Sequence, residues 1–233
     1  YQTLFLLAFI PGVLAILFTL LINEKNKVVA LPPTKRSVSF FAFISYYKNS
    51  TLSYKKLLAG LLGFALVNSS DVFLLLKMKE TGISDTKVIG LYIFYNLVYA
   101  LCAYPIGILA DKWGFKKIFM LGLFIFSIVY AGFAIANTFW LYGILLLLYG
   151  VYAAATEGIA KAWISNISAK DETATAIGTY SGFQSIAALT ASSVGGLIWY
   201  LFGSVFTFGL AAFVTLLAIV YLQFSNLKEQ EHV

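Results

Sequence analysis

The sequence has 233 residues, of which 61% are apolar and 11% are charged, and its formal net charge is +6. Soluble domains contain about 25% charged residues, so this composition indicates a chain surrounded mainly by lipid. The apolar residues form continuous blocks of about 20 residues rather than alternating with period 2, which predicts membrane-spanning helices and excludes a β-barrel. The basic residues lie between these blocks, so we expect the lipid bilayer, and no nucleic acid, as their partner.

Few side chains in the sequence could support catalysis or metal binding. The single cysteine, Cys102, lies inside an apolar block, and the single histidine, His232, is next to the last residue. A disulfide framework, a metal site and a nucleophile–base set therefore lack the residues that they need. The sequence also contains no nucleotide-binding loop of the form GxxxxGK[ST]. We predict that the protein is not an enzyme and has no cofactor.

In chain order, the apolar blocks predict seven membrane spans, at about residues 3–22, 57–76, 88–109, 118–136, 140–163, 174–200 and 205–224. Residue 1 is Tyr and the first span begins at once, so we expect the sequence to come from the middle of a longer chain. Short connections place consecutive helices antiparallel. All the predicted spans except the first two are joined by such short connections. The chain therefore divides into a leading helix, a linker, a six-helix bundle and a tail, at residues 1–23, 24–53, 54–225 and 226–233.

The distribution of basic residues predicts how the chain is oriented. If the linker is cytoplasmic, twelve of the sixteen basic residues lie on that side, and Lys161 lies inside a span. Only Lys77, Lys79 and Lys87 lie on the opposite side. Since cytoplasmic loops are enriched in Lys and Arg, we expect a multi-pass protein of the cell (inner or plasma) membrane with a cytoplasmic linker and C-terminus.

Within the linker, the apolar stretch from Val38 to Tyr47 is too short to span a bilayer. Its flanking basic residues, Lys35, Arg36 and Lys48, favour a helix that lies on the anionic inner leaflet. The alternative interpretation is an early start of the next span.

Between the third and fourth spans the sequence reads GILADKWGFKK, from Gly107 to Lys117. Gly107 permits a close helix approach, Asp111 can accept hydrogen bonds at a helix end, and Gly114 permits a tight turn. This order resembles the signature loop of the major facilitator superfamily, usually written G-x-L-x-D-R-x-G-R-[RK]. Lys112 and Lys116 stand where the family motif has arginine, so the positive charge is kept.

The resemblance implies that the seven spans are helices 6 to 12 of a twelve-helix secondary transporter. Residues 1–23 would then be the last helix of the N-terminal half, and that missing half of the same chain would complete the fold. Such proteins hold substrate between two six-helix halves near the membrane midplane and alternate access by rocking. We therefore expect transport of a small organic solute, coupled to H⁺ or another cation. The alternatives are a non-transporting receptor or scaffold of the same fold, or a multidrug-type exporter.

Three ionisable residues lie inside predicted spans, where charge is costly and usually functional. Asp71 has no basic residue within one helical turn, which makes it a candidate for binding substrate or a proton. Glu157 and Lys161 are spaced i,i+4 and are interpreted as a gating pair, with a simple helix-surface ion pair as the alternative. The signature loop supplies the further gating candidates, Gly107, Asp111, Lys112, Gly114 and Lys117.

Uncharged polar side chains on three of the predicted spans complete the expected site. Aromatic and amide groups suit a small organic solute that stacks and forms hydrogen bonds. An alternative is that the tyrosines only pack helix against helix. The candidates are Asn68, Tyr95, Asn96, Tyr99 and Gln184. The sequence Gly178-Thr-Tyr-Ser-Gly182 is interpreted separately, as a GxxxG element for close helix contact.

Overall fold

The structure, a computed structural model, describes residues 42–225 and eight helical residues between 9 and 21. The chain divides into two compact units, residues 1–38 and 39–233. The predicted first span belongs to the first unit. Residues 24–41 of the predicted linker and the predicted tail lie outside the described residues.

Between residues 42 and 225, all the regular secondary structure is α-helical. The seven helices are α1 (Ala42–Asn49), α2 (Leu52–Ala65), α3 (Val72–Glu80), α4 (Asp85–Trp113), α5 (Phe115–Ile135), α6 (Phe139–Ile167) and α7 (Thr173–Phe224). Helices α4 to α7 are each long and apolar enough to cross a membrane. Gly203, with φ of 83°, divides α7 into residues 173–202 and 204–224, which correspond to the last two predicted spans. The second unit is thus an all-α membrane helix bundle.

The predicted span 57–76 is not one continuous helix in the structure, which divides it between two helices. Helix α2 ends at Ala65 and α3 begins at Val72, and the residues between them include the polar run from Asn68 to Asp71. Such side chains compete with the backbone for hydrogen bonds. The Ser70 N–H donates to Ser192 Oγ at 3.2 Å, and the Val72 N–H donates to Ser70 Oγ at 3.4 Å. The backbone at this break is therefore held partly by side chains.

Helix α6 runs through the middle of the bundle, and close backbone approaches bring its neighbours to it. A Cβ at Gly150 of α6 would lie 2.9 Å from the Tyr95 carbonyl oxygen and 2.8 Å from Val98, both in α4. A Cβ at Gly122 of α5 would lie 2.7 Å from the Thr156 side chain of α6. These two glycines permit a helix spacing that larger residues would prevent.

Helix α1 packs against the start of α7 and ends before α2 begins. The Thr51 side chain accepts a hydrogen bond from the Tyr54 N–H and caps α2 separately. The Tyr54 hydroxyl in turn donates to the Ala176 carbonyl at 2.8 Å. Burial raises the pKa of Tyr46 in α1, where Ser168 acts in the opposite direction. An early start of the next span is therefore excluded.

At the C-terminal end of α3, a buried lysine bonds to the bend in α7. Lys77 is 7% exposed, and its Nζ donates to Ser204 Oγ at 2.9 Å and pairs with Glu80 at 3.3 Å. Ser204 directly follows Gly203, the residue that bends α7. The C-terminal end of α3 and this bend are thus linked by a charged hydrogen bond.

Candidate functional site

Asp71 lies at the break between α2 and α3, where its side chain is half-buried. One carboxylate oxygen, Oδ1, accepts a hydrogen bond from the Tyr149 hydroxyl at 2.7 Å. Tyr149 belongs to α6 and is 2% exposed. The hydrogen-bond partner of Asp71 among the described residues is thus a neutral hydroxyl.

Tyr95 of α4 lies beside this pair, because Gly150 lets α4 approach α6 closely. The ring centroids of Tyr95 and Tyr149 are 5.0 Å apart. The Tyr95 side chain is within electrostatic reach of both Asp71 and Glu157. Tyr95 therefore lies near both carboxylates.

A small cavity of about 30 Å³ brings together predicted residues from three parts of the chain. Asn68 from the break, Glu157 from α6 and Gln184 from α7 line it together with Tyr180. Water requires about 10–15 Å³ of such space, so the cavity suits one or two water molecules and no larger solute. It is a polar recess beside the more exposed Glu157 carboxylate.

Five tyrosines from α4, α6 and α7 surround the two carboxylates. Each is within hydrogen-bonding or electrostatic reach of at least one of them. We call Asp71, Glu157 and these tyrosines the acidic–aromatic cluster; the tyrosines are Tyr95, Tyr99, Tyr149, Tyr152 and Tyr180. The cluster joins two of the three ionisable residues predicted inside the spans.

The interpretation of Glu157 and Lys161 as an ion pair is wrong for this structure. Both side chains are exposed, and the two ion pairs found between residues 42 and 225 are Lys77–Glu80 and Lys79–Asp85. The i,i+4 spacing permits a pair, but exposed pairs gain little because solvent screens them and the side chains lose entropy. Gating by these residues stays a prediction.

Asn96 and Tyr99 lie on α4 as predicted, but they have different surroundings. Tyr99 is half-buried and faces Glu157, whereas Asn96 is exposed and donates from its amide to the Tyr92 carbonyl at 2.8 Å. Asn96 is therefore not part of the acidic–aromatic cluster.

The signature loop is not part of this cluster, and its carboxylate is more exposed than that of Asp71. Asp111 is exposed, it has no hydrogen-bond partner among the described residues, and α4 continues past it to Trp113. Asp111 thus lies in the last turn of α4, as expected, but the hydrogen bonds expected there are not made by the described residues. Gly114 does form the turn, with φ of 93°, whereas a Cβ at Gly107 would meet no atom within 4 Å. The close helix contact expected at Gly107 is not made by the described part of the chain.

The GxxxG element at Gly178 and Gly182 is also open. A Cβ at either glycine would have no neighbour within 4 Å in the described residues. Close packing at this element within the bundle is therefore not observed.

Sequence reasoning missed Tyr149 and Tyr152, which complete the site. Both lie on the same helix as Glu157, and Tyr149 directly precedes the close contact at Gly150. Their position one or two helical turns before an intramembrane acid could have identified them in the sequence. The evidence that Tyr149 meets Asp71 comes only from the fold.

The helices and the polar residues inside them define an α-helical, multi-pass membrane protein. Residues 57–232 match the sequence profile of the Major Facilitator Superfamily, and the chain belongs to that superfamily. The resemblance based on residues 107–117 is thus confirmed.

Two relatives carry transporter names. An uncharacterized MFS-type transporter of Methanocaldococcus jannaschii is 31% identical over 218 residues, which is 88% of this chain and 53% of the relative. An uncharacterized transporter of Buchnera aphidicola subsp. Acyrthosiphon pisum is 28% identical over 130 residues, which is 56% of this chain and 33% of the relative. The chain thus spans about half the length of the first relative and a third of the second.

Proposed function

We propose that the chain forms one half of a secondary transporter, which moves a small organic solute by alternating access with H⁺ or another cation coupled to it. The observation that carries this proposal is Asp71, a carboxylate inside a broken helix whose hydrogen-bond partner is the neutral Tyr149. An acid in this setting suits uptake and release of a proton or a cation, because no base among the described residues pairs with it. The transporter names of the relatives support the same class.

The helix break gives Asp71 a way to couple its charge to movement. The carbonyls of Asn68 and Ser69 accept no backbone hydrogen bond in the described chain, so no helical ladder joins α2 to α3 at this point. Rotation about the break therefore disrupts few bonds. Protonation of Asp71 would weaken the charge-assisted bond from Tyr149 and so change the preferred position of α3.

The gating candidates lie on other helices of the same half. Asp111, Lys112 and Lys117 surround the turn between α4 and α5, and Glu157 and Lys161 lie on α6. None of these five forms an ion pair in the described chain. We propose that their partners lie in the remaining half of the complete protein and are made and broken as the two halves rock.

The experiment uses the complete protein in liposomes that enclose a pH-sensitive dye. A carrier coupled to protons moves H⁺ across the membrane when its solute is added on one side, and it exchanges labelled for unlabelled solute. A receptor or scaffold binds solute and does neither. Saturable binding without counterflow or proton movement would reject the proposal.

A further inference from the structure

A groove runs between α2 and residues 204–224 of α7, on a different side of α2 from the one that lines the polar recess. The two helices touch at one end of it, where a Cβ at Gly60 would lie 2.4 Å from the Leu222 side chain. Ala59 and Gly63 of α2 line the groove together with four residues of α7, and its volume is about 220 Å³. A Cβ at Gly63 would meet no atom within 4 Å, so the groove is open at that level.

The groove continues into a cavity of about 100 Å³ beside the helix break. Val214 lines both spaces, and Leu66 of the break lines the cavity. Nine of the twelve residues that line the cavity have no polar side-chain group, and the exceptions are Ser69, Tyr130 and Thr207. The Tyr130 hydroxyl has no partner at bonding distance among the described residues but lies near Ser69, and one water can satisfy both hydroxyl groups. The remaining walls suit an apolar occupant.

The length of this apolar path fits one chain of a lipid. The path runs along residues 207–221, which is about 21 Å at 1.5 Å per residue. One leaflet contributes about half of the roughly 30 Å hydrocarbon core. A chain that starts beside Tyr221 therefore reaches the level of Ala211 and ends inside the cavity.

The rim of the path is exposed and apolar. Leu66, Leu217 and Tyr221 are 50%, 52% and 42% exposed. Neither the groove nor the cavity is lined by Asp, Glu, Lys or Arg. Since lipid chains are as apolar as leucine, such a surface accepts a lipid chain and offers little to a polar solute.

A lysine without a partner lies at the end of the groove away from the break. The Tyr221 hydroxyl donates to the Lys56 carbonyl at 3.2 Å, and Lys56 precedes Gly63 by seven residues, on the same face of α2. The half-buried Lys56 side chain forms no ion pair or hydrogen bond with the described residues, whereas Lys55 donates to the Lys48 carbonyl at 2.7 Å. At the predicted cytoplasmic end, this ammonium group suits the phosphate of an anionic lipid.

We propose that the groove binds one anionic phospholipid of the predicted cytoplasmic leaflet, with its phosphate at Lys56 and one chain between α2 and residues 204–224. The end of that chain occupies the cavity. It contacts Ser69, two residues before Asp71, so the bound lipid packs against the helix break. The site is separate from the acidic–aromatic cluster, and its occupancy does not depend on which solute is transported.

The first test compares phosphatidylglycerol with phosphatidylcholine of identical chains, by native mass spectrometry of the purified complete protein. We expect phosphatidylglycerol to bind more tightly, and Lys56→Gln to weaken its binding about fivefold, to the level of phosphatidylcholine. Gly63→Leu fills the groove without meeting protein atoms and should weaken the binding of both lipids. Retained preference for phosphatidylglycerol in Lys56→Gln, or wild-type binding by Gly63→Leu, would overturn the inference.

Two matched variants control for changes outside the groove. Lys170→Gln removes an exposed lysine at the same predicted side of the membrane. Gly209→Leu adds the same side chain as Gly63→Leu at an exposed glycine that lines neither space and also has no atom within 4 Å of its Cβ. Both should bind the two lipids as the wild type does, and thermal unfolding shows whether each variant is folded.

A second test locates the chain in the wild-type protein. Phosphatidylglycerol with a diazirine near the end of one chain is irradiated with the complete protein, and labelled peptides are mapped by mass spectrometry. We expect labels within residues 66–69, 191–198 or 207–214. Labels confined to other surfaces would show that lipid only surrounds the protein, or that the other half of the complete protein covers the groove, and either result rejects the site.

Discussion

Asp71 and Asp111 are both carboxylates in the helical part of the bundle, yet their surroundings in the structure differ strongly. Asp71 lies at a helix break, is half-buried and accepts a hydrogen bond from Tyr149. Asp111 lies on an unbroken helix, is exposed and has no partner in the described chain. The loop that contains Asp111 identifies the superfamily, but the contacts of this half converge on Asp71. A motif that identifies a family can therefore have its function in contacts with another part of the protein.

The largest effect is expected at Asp71. Asp71→Asn keeps the size of the side chain but removes its charge and proton uptake, so gradient-driven accumulation should be abolished in the complete protein. Exchange, which needs no net proton movement, should survive better. Accumulation and exchange are measured in the same liposomes, with Asp85→Asn as a control. If Asp71→Asn accumulates solute as the wild type does, Asp71 is a packing residue and the coupling site lies outside the described half.

A smaller effect is expected at Asp111, where we predict that Asp111→Asn slows transport about tenfold and leaves expression intact. A hydrogen bond to a charged group contributes about 1.5–3 kcal/mol, which corresponds to a tenfold or greater change in rate. Since Asp111 has no partner in the described chain, the thermal stability of the protein should not change. Wild-type turnover in the variant would show that the loop only fixes the topology.

A third prediction compares a glycine that is closely packed in the bundle with a glycine of the signature loop that is not. Gly150→Ala places a methyl group 2.9 Å from the Tyr95 carbonyl and should cost about 1–3 kcal/mol of stability, as overpacked positions do. Gly107→Ala meets no atom within 4 Å of the described chain and should not destabilise it. Thermal unfolding in detergent compares the two variants. Equal destabilisation would mean that the Gly107 surface is packed against another part of the complete protein.

The last prediction concerns orientation and should leave transport unchanged. A cysteine at Lys79 should react with an impermeant thiol reagent added to intact cells, and a cysteine at Lys35 should not. Cys102 is first replaced by serine so that the introduced cysteine is the only thiol. Labelling at position 35 but not at 79 would reverse the predicted topology.

The sequence was sufficient for the parts of the fold that depend on apolar length. Helices α4, α5 and α6 correspond to the predicted spans 88–109, 118–136 and 140–163, because unbroken apolar blocks have few alternatives in lipid. The break after Ala65 was missed because its polar residues are as compatible with a cavity-lining helix as with an interrupted one. Composition alone does not distinguish these cases.

The candidate site was predictable by residue type but not by partner. Asp71 and Glu157 stand out because ionisable groups inside spans are costly. The bond from Tyr149 to Asp71 depends on how α6 crosses the break, and that crossing depends on Gly150. The Glu157–Lys161 pair was expected from spacing, but spacing shows only that two side chains can meet.

The buried bond from Lys77 to Ser204 joins α3 to the bend in α7, although the two residues are 127 positions apart in the chain. Helix α3 borders the break in the backbone ladder at its N-terminal end and is bonded at its C-terminal end to the residue that follows Gly203. We expect that a tilt of α3 about the break would be transmitted through this bond to the bend, and so to the angle between residues 173–202 and residues 204–224. A change of charge at Asp71 would in this way reach the bend in α7 without any movement of α6.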